Sequence, residues 1–162
     1  RQRGTGAHST VSVAGRNSSD VWSGFRVGAR ATPSDVQTAS DGETLILQGS
    51  HDGYRRLPGA PRHTRRWLLS RRSLQIDDQL SVPTYEAEAR FHLHPSIRVN
   101  QATPHSGEFE LEDGARVRWR TGDASARVAP ATWHPEFGVA KPTSCLVLPL
   151  NQGRSSLEVT WK

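Results

Sequence analysis

A chain of 162 residues is long enough for one domain that buries about two thirds of its potential surface, and too short for two comfortable ones. With 34% hydrophobic and 23% charged residues, 14 Gly, 10 Pro and five Trp, the composition is that of a polar, loop-rich globular domain and not of a disordered tail. The formal charge of +5 favours anionic partners such as nucleic acid, acidic polysaccharide or anionic lipid, and chooses none of them. The single cysteine excludes an internal disulfide, and no stretch reaches the length of an apolar membrane span.

In chain order, the glycine-punctured opening "RQRGTGAHS" carries His8 and leads into an alternating strand, Thr10 to Ala14. Arg1 follows no methionine, so the expectation is that either the start was removed or the chain begins partway through a longer polypeptide. "VWSGFRVGARA", Val21 to Ala31, reads as a second extended stretch bent at Gly24 or Gly28. "TPSDVQTASDGE" reads as connection and turn, Thr44 to Gln48 as a strand, and Gly49 to Pro61 as a loop. His63 to Leu69 and Leu74 to Leu80, joined by "SRRS", predict an antiparallel hairpin.

The segment "YEAEARFHLHP" alternates: Tyr85, Ala87, Ala89, Phe91 and Leu93 share one face, while Glu86, Glu88, Arg90, His92 and His94 share the other. Shorter units follow at Ile97–Val99, Glu108–Leu111, Ala115–Arg120 and Ser125–Val128, and the last two strands are expected at Cys145–Leu150 and Ser156–Trp161. No apolar stripe recurs at helical spacing, so crossover helices are lacking. The pattern predicts an all-β chain, an antiparallel multi-strand β-sandwich.

Three places carry chemistry. His92 and His94, at i and i+2 on a strand, could converge on zinc with Glu88 as a third donor, although the same row is what a solvated strand face looks like. The loop "GSHDGYRRLPG" gathers His51, Asp52, Tyr54, Arg55 and Arg56. Asp52 could orient His51, Tyr54 could donate a proton or stack, and an arginine could receive a carboxylate or sulfate; equally, Asp52-Gly53 could form a turn with Tyr54 packed inside. Cys145, in "TSCLVLPL", reads as a buried strand thiol. The chain has no nucleophile elbow, P-loop or dinucleotide fingerprint, and a basic nucleic-acid-binding module is a weak third reading without an aromatic or zinc-finger signature.

"RGTGAHSTVSVAG", "SSDVWSGFRVGARA", "GSHDGYRRLPG", "RFHLHP" and "HPEFGVAKP" together resemble the C-terminal β-sheet region of the heparinase II/III-like polysaccharide lyases. That resemblance implies a supersandwich-like domain over 1–162, the C-terminal portion of a protein whose upstream part is a helical toroid, with an acidic polysaccharide cleft between the two. It implies β-elimination on a uronic-acid-containing polymer such as a glycosaminoglycan, with the catalytic tyrosine and an "HGH"-like segment lying outside this chain. Catalytic residues are therefore unassigned here, and the chain by itself is expected to be inactive.

The family's "RGT-x-A-H-N-T-V" segment matches Arg3 to Val11 and places His8 at a ligand of zinc, or another divalent metal, in the complete protein. Ser9 departs from the family's asparagine. His51, Tyr54 and Arg55 fall on a recurrent loop and are carried as substrate-binding candidates. A periplasmic or secreted location is the family expectation. The alternative is a non-catalytic domain that binds acidic carbohydrate or serves as structure.

Overall fold

The computed structural model describes residues 2–162; Arg1, the first residue of the expected domain, lies outside them. Among the described residues, twelve strands carry the fold. They are β1 (Val11–Val13), β2 (Pro33–Ser40), β3 (Leu45–His51), β4 (His63–Leu69), β5 (Ser73–Leu80), β6 (Ala87–His92), β7 (Arg98–Thr103), β8 (Ser106–Glu110), β9 (Arg116–Thr121), β10 (Arg127–Trp133), β11 (Lys141–Pro149) and β12 (Arg154–Thr160). Every strand pairing is antiparallel. A four-stranded sheet, β1-β6-β11-β10, packs on an eight-stranded sheet, β2-β3-β4-β5-β12-β9-β8-β7, so the chain is the all-β antiparallel sandwich that its alternation predicts.

The core follows from period two. Ala87, Ala89 and Phe91 on β6 face inward with Leu146 and Leu148 of β11, and meet Ile76, Leu80, Leu157, Trp119 and Phe109 from the larger sheet. Trp119 is fully buried and stacks on Phe109 at 6.1 Å between ring centroids. Its ring lies so close over Gly107 that a Cβ there would come within 2.6 Å, so only glycine admits that tryptophan. On the opposite face of the small sheet, Val147 sits between Arg90 and Arg127, whose guanidinium groups both bond Glu88. The last strand, β12, lies between β5 and β9, which makes the large sheet dependent on the C-terminal residues.

Three expectations need correction. "PSDVQTAS" is the edge strand β2 and not a connection; its side chains are mostly exposed, so no apolar alternation marks it, and Pro33 at its start suits an edge. Val21 to Ala31 is not a regular strand: it is a small hairpin closed by a Val21–Val27 bridge and turned at Gly24, whose φ is +67°. Strands β10 and β11 extend further than expected, through Pro130 and Pro142, because each proline lies where its strand has a neighbour on one side only. No helix among the described residues is long and apolar enough to cross a membrane.

Candidate functional site

The segment before β1 is held from both ends. The Arg3 guanidinium donates to the carbonyls of Gly24 and Arg26, the latter at 2.9 Å, tying the opening loop to the tip of the 20–29 hairpin. Thr5 is buried, accepts from the Ser18 N–H at 2.8 Å, and gives its own N–H to Asn17 at 2.9 Å. A 3-10 turn over Thr5–Ala7 then delivers His8 in extended backbone, and its side chain is exposed. Ser9 anchors the far side: its hydroxyl accepts from the His92 N–H at 3.0 Å and its carbonyl from Arg65 at 2.6 Å. Burial, Arg90 and His8 together hold the His92 imidazole below its ordinary value, opposed by a hydrogen bond to the Gly6 carbonyl. His8 and His92 are therefore neighbours in space.

Arg65 is one end of a buried polar chain. Gly53 can only donate, so its N–H at 3.1 Å makes His51 Nδ1 an acceptor and leaves the proton on Nε2. That proton goes to His63 Nδ1 at 3.1 Å, and His63 Nε2 in turn donates to Asp78 Oδ1 at 2.7 Å. Arg65 grips both Asp78 oxygens, Nε to Oδ1 at 2.7 Å and Nη2 to Oδ2 at 2.9 Å. The Asp78 carboxylate is wholly shielded from solvent, and the side chains of His63 and Arg65 nearly so. Burial pushes the Asp78 carboxyl up, but the hydrogen bonds from His63 and Arg65 and the Arg65 charge outweigh it, leaving the group below the ordinary carboxylate value. Burial first, then its neighbours His63 and the charged Arg65, hold His51 down to about 4, against the pull of Asp52.

The structure assigns Tyr54 to the core and not to a substrate surface. It is 1% exposed, burial pushes its phenol up to about 12, and its hydroxyl donates to the Val11 carbonyl at 2.5 Å. That carbonyl faces away from β6, so Tyr54 caps the open edge of the small sheet. Asp52 does not hydrogen-bond His51; it accepts from the Thr32 N–H at 2.7 Å and pairs with Arg55 at 2.7 Å. Arg55 remains half exposed, whereas Arg56 is bound to Asp20 and to the Asn17 carbonyl, both at 2.7 Å.

His92, His94 and Glu88 do not converge. His94 lies beyond the end of β6, bonds Ser96 at 2.8 Å and packs edge-on against Trp133. Glu88 is taken by Arg90 and Arg127, and His92 Nδ1 is 3.9 Å from the buried Cys145 sulfur, whose thiol burial pushes up. Among the described residues no three His, Cys, Asp or Glu side chains form a group able to hold a metal. His8 is an exposed imidazole beside His92, short of the three donors a zinc site takes, so a zinc ion there needs donors from beyond the described residues.

Sequence reasoning missed two features. Arg65 and Asp78 are cross-strand partners on the inward face of the large sheet, where alternation leads one to expect apolar side chains. Trp22 is 60% exposed on the hairpin, between two depressions of about 490 and 600 Å³. A groove of about 1110 Å³ lies elsewhere, on the outer face of the large sheet over Gln48, Arg66, Asp77 and Arg154, and contains none of the nominated residues.

The model of the family "Heparinase II/III-like, C-terminal" matches residues 2–162. The chain belongs to that family. Its fold is also that of two solved structures: heparan sulfate lyase HepC from Pedobacter heparinus, with TM-score 0.74 and 14% identity, and the heparinase III BT4657 gene product, with TM-score 0.71 and 14% identity. Each comparison covers 98% of this chain and 24% of the other, so this heparinase II/III-like domain spans about a quarter of the length of those proteins. No curated protein sequence matches it.

Proposed function

We propose that this domain is part of a polysaccharide lyase that cleaves an acidic, uronic-acid-containing polymer by β-elimination, and that it forms one wall of the cleft against an upstream helical toroid. Family membership over residues 2–162 carries the reading, supported by the likeness in fold to two lyases. In such a reaction a base takes the C5 proton beside the uronate carboxylate, the C4–O bond breaks, and a C4–C5 double bond remains.

This chain's own share is positional. Two tethers on Ser9 hold the backbone beside His8, which we assign as one ligand of a divalent metal in the complete protein; such an ion supplies Lewis-acid or structural charge when bound. Arg55 is the loop residue with room to meet a carboxylate or sulfate. His51 and Tyr54 act through the fold, one by holding His63 and the other by closing the sheet edge. A periplasmic or secreted location accords with a polymeric substrate met outside the cell.

The experiment joins this chain to its upstream portion and offers heparan-type, alginate-type and bacterial uronate polymers. Ultraviolet absorbance from the unsaturated uronate is expected on at least one polymer, and a flat trace across the panel overturns the reading. Elemental analysis of the same protein should find stoichiometric zinc that falls with His8→Ala; unchanged metal removes His8 from the site.

A further inference from the structure

Trp22 is held in place and exposed on this domain. The hairpin that carries it is closed by three backbone bonds: Asp20 N–H to Ala29 at 2.9 Å, Gly28 N–H to Asp20 at 2.7 Å and Trp22 N–H to Arg26 at 3.1 Å. Its base is fixed by the Arg56–Asp20 ion pair, and its tip by Arg3, which grips the Gly24 and Arg26 carbonyls. The indole lies against Gly28, where a Cβ would stand 3.1 and 3.3 Å from two ring carbons. One side of the ring is thus occupied by backbone, and the residue is still 60% exposed.

The surroundings of that ring are largely polar. The depression on one side is lined by Arg16, Asn17, Asp20 and Arg56, and the one on the other by Gln2, Arg3 and His134, with Trp22 common to both. Arg16 is exposed and makes no ion pair among the described residues. A protein-docking patch has a dry apolar centre depleted of charge. Phe25 is exposed on the same hairpin and Val21 lines both depressions, but the rest of the rim, of amide, guanidinium, carboxylate and imidazole groups, fits a different ligand. The face of a pyranose presents C–H bonds to an aromatic surface while its equatorial hydroxyls reach sideways to hydrogen-bonding groups. Because ring and hairpin are already fixed, little conformational entropy is lost on binding.

We propose that Trp22 is a stacking platform for a sugar ring of an acidic polysaccharide, with Arg16 placed to receive its carboxylate or sulfate. The ligand class rests on the lyase reading above; the contact itself rests on the exposed, glycine-backed ring and its polar rim.

The test is a titration of the isotope-labelled chain with a uronic-acid tetrasaccharide and a neutral glucose tetrasaccharide, following the Trp22 indole N–H resonance. A saturable shift with the acidic sugar is expected. Trp22→Ala should lower its affinity about tenfold or more, Trp22→Phe should keep it within about threefold, and Arg16→Gln should weaken the acidic sugar alone. An unmoved Trp22 resonance, unchanged affinity in Trp22→Ala, or equal binding of the two sugars overturns the proposal. So does hydroxyl-radical footprinting that finds Trp22 covered by the rest of the protein when this chain is joined to its upstream portion.

The same joined protein separates this inference from the lyase reading. Binding at Trp22 without cleavage of any polymer overturns the lyase reading and sustains the platform. Cleavage whose kcat/KM is unchanged by Trp22→Ala does the reverse.

Discussion

Two polar regions of this domain are both rich in histidine or arginine and are built on opposite terms. In the chain from His51 through His63 and Asp78 to Arg65, donors and acceptors are matched in order and the middle of the chain is closed to water. Around His8 and Trp22 the backbone is fixed by comparable bonds, but these two side chains are left facing solvent. The difference separates support from contact. A fully satisfied buried network can hold a segment in place and has no capacity left for a ligand, whereas an exposed group on a tethered segment has both position and capacity. Arg65 joins the two regions, since the guanidinium that binds Asp78 also binds the Ser9 carbonyl.

The sharpest way to break the buried half is Asp78→Asn, which leaves Arg65 charged and unpaired in the interior. A loss of about 3–5 kcal/mol is expected in urea unfolding. A loss below about 1 kcal/mol would mean that the chain supports little. Tyr54→Phe should follow at about 1–3 kcal/mol, because the Val11 carbonyl loses its donor behind a buried ring.

The pH dependence tests the same network without cutting it. His51 has a folded-state value of about 4 against an ordinary 6.5, so between those values the unfolded chain binds more protons. Stability is therefore expected to rise with pH across that window, and to fall as pH drops from about 6.5 toward 4. His51→Gln should flatten that part of the curve of urea midpoint against pH. The Asp78 carboxyl, held below its ordinary value, adds a further loss at lower pH, as acid protonates it. A slope of opposite sign in the first window would show that His51 is stabilised as the cation.

On the exposed half, effects on stability should be small. Ser9→Ala removes the acceptor for the His92 N–H and should cost about 0.5–1.5 kcal/mol, with faster amide exchange at His92 as the local reading. Gly28→Ala should be the mildest on stability, below about 1 kcal/mol, while displacing the indole by a few tenths of an ångström, visible as a shifted Trp22 resonance. If Ser9→Ala or Gly28→Ala destabilised the fold as much as Asp78→Asn, the division into support and contact would fail.

Much of the fold is legible in the chain. The "HTRRWLL" and "SLQIDDQL" strands pair as the hairpin they predict, and "AEARFH" puts Ala87, Ala89 and Phe91 inside. Polar edges are not legible in this way. Pro33–Ser40 has no buried face to impose alternation, so its role is invisible until β3 is beside it. The site divides along the same line. His8 is conspicuous because its motif is local and resembles a family pattern, and the structure leaves its side chain exposed. Tyr54 sits in an equally suggestive motif, yet the carbonyl it meets is 43 residues away, and nothing in "HDGYRR" announces that partner.

By itself, then, the sequence determined the class of fold, the family and the segment on which His8 lies, since each is written in short-range alternation or in contiguous motifs. Only the tertiary structure decided that Arg65 and Asp78 turn inward, that Tyr54 is sealed and that Trp22 is bare. The physical reason is that alternation assigns a residue to a face, while burial and hydrogen-bond partnership depend on what distant segments bring against that face.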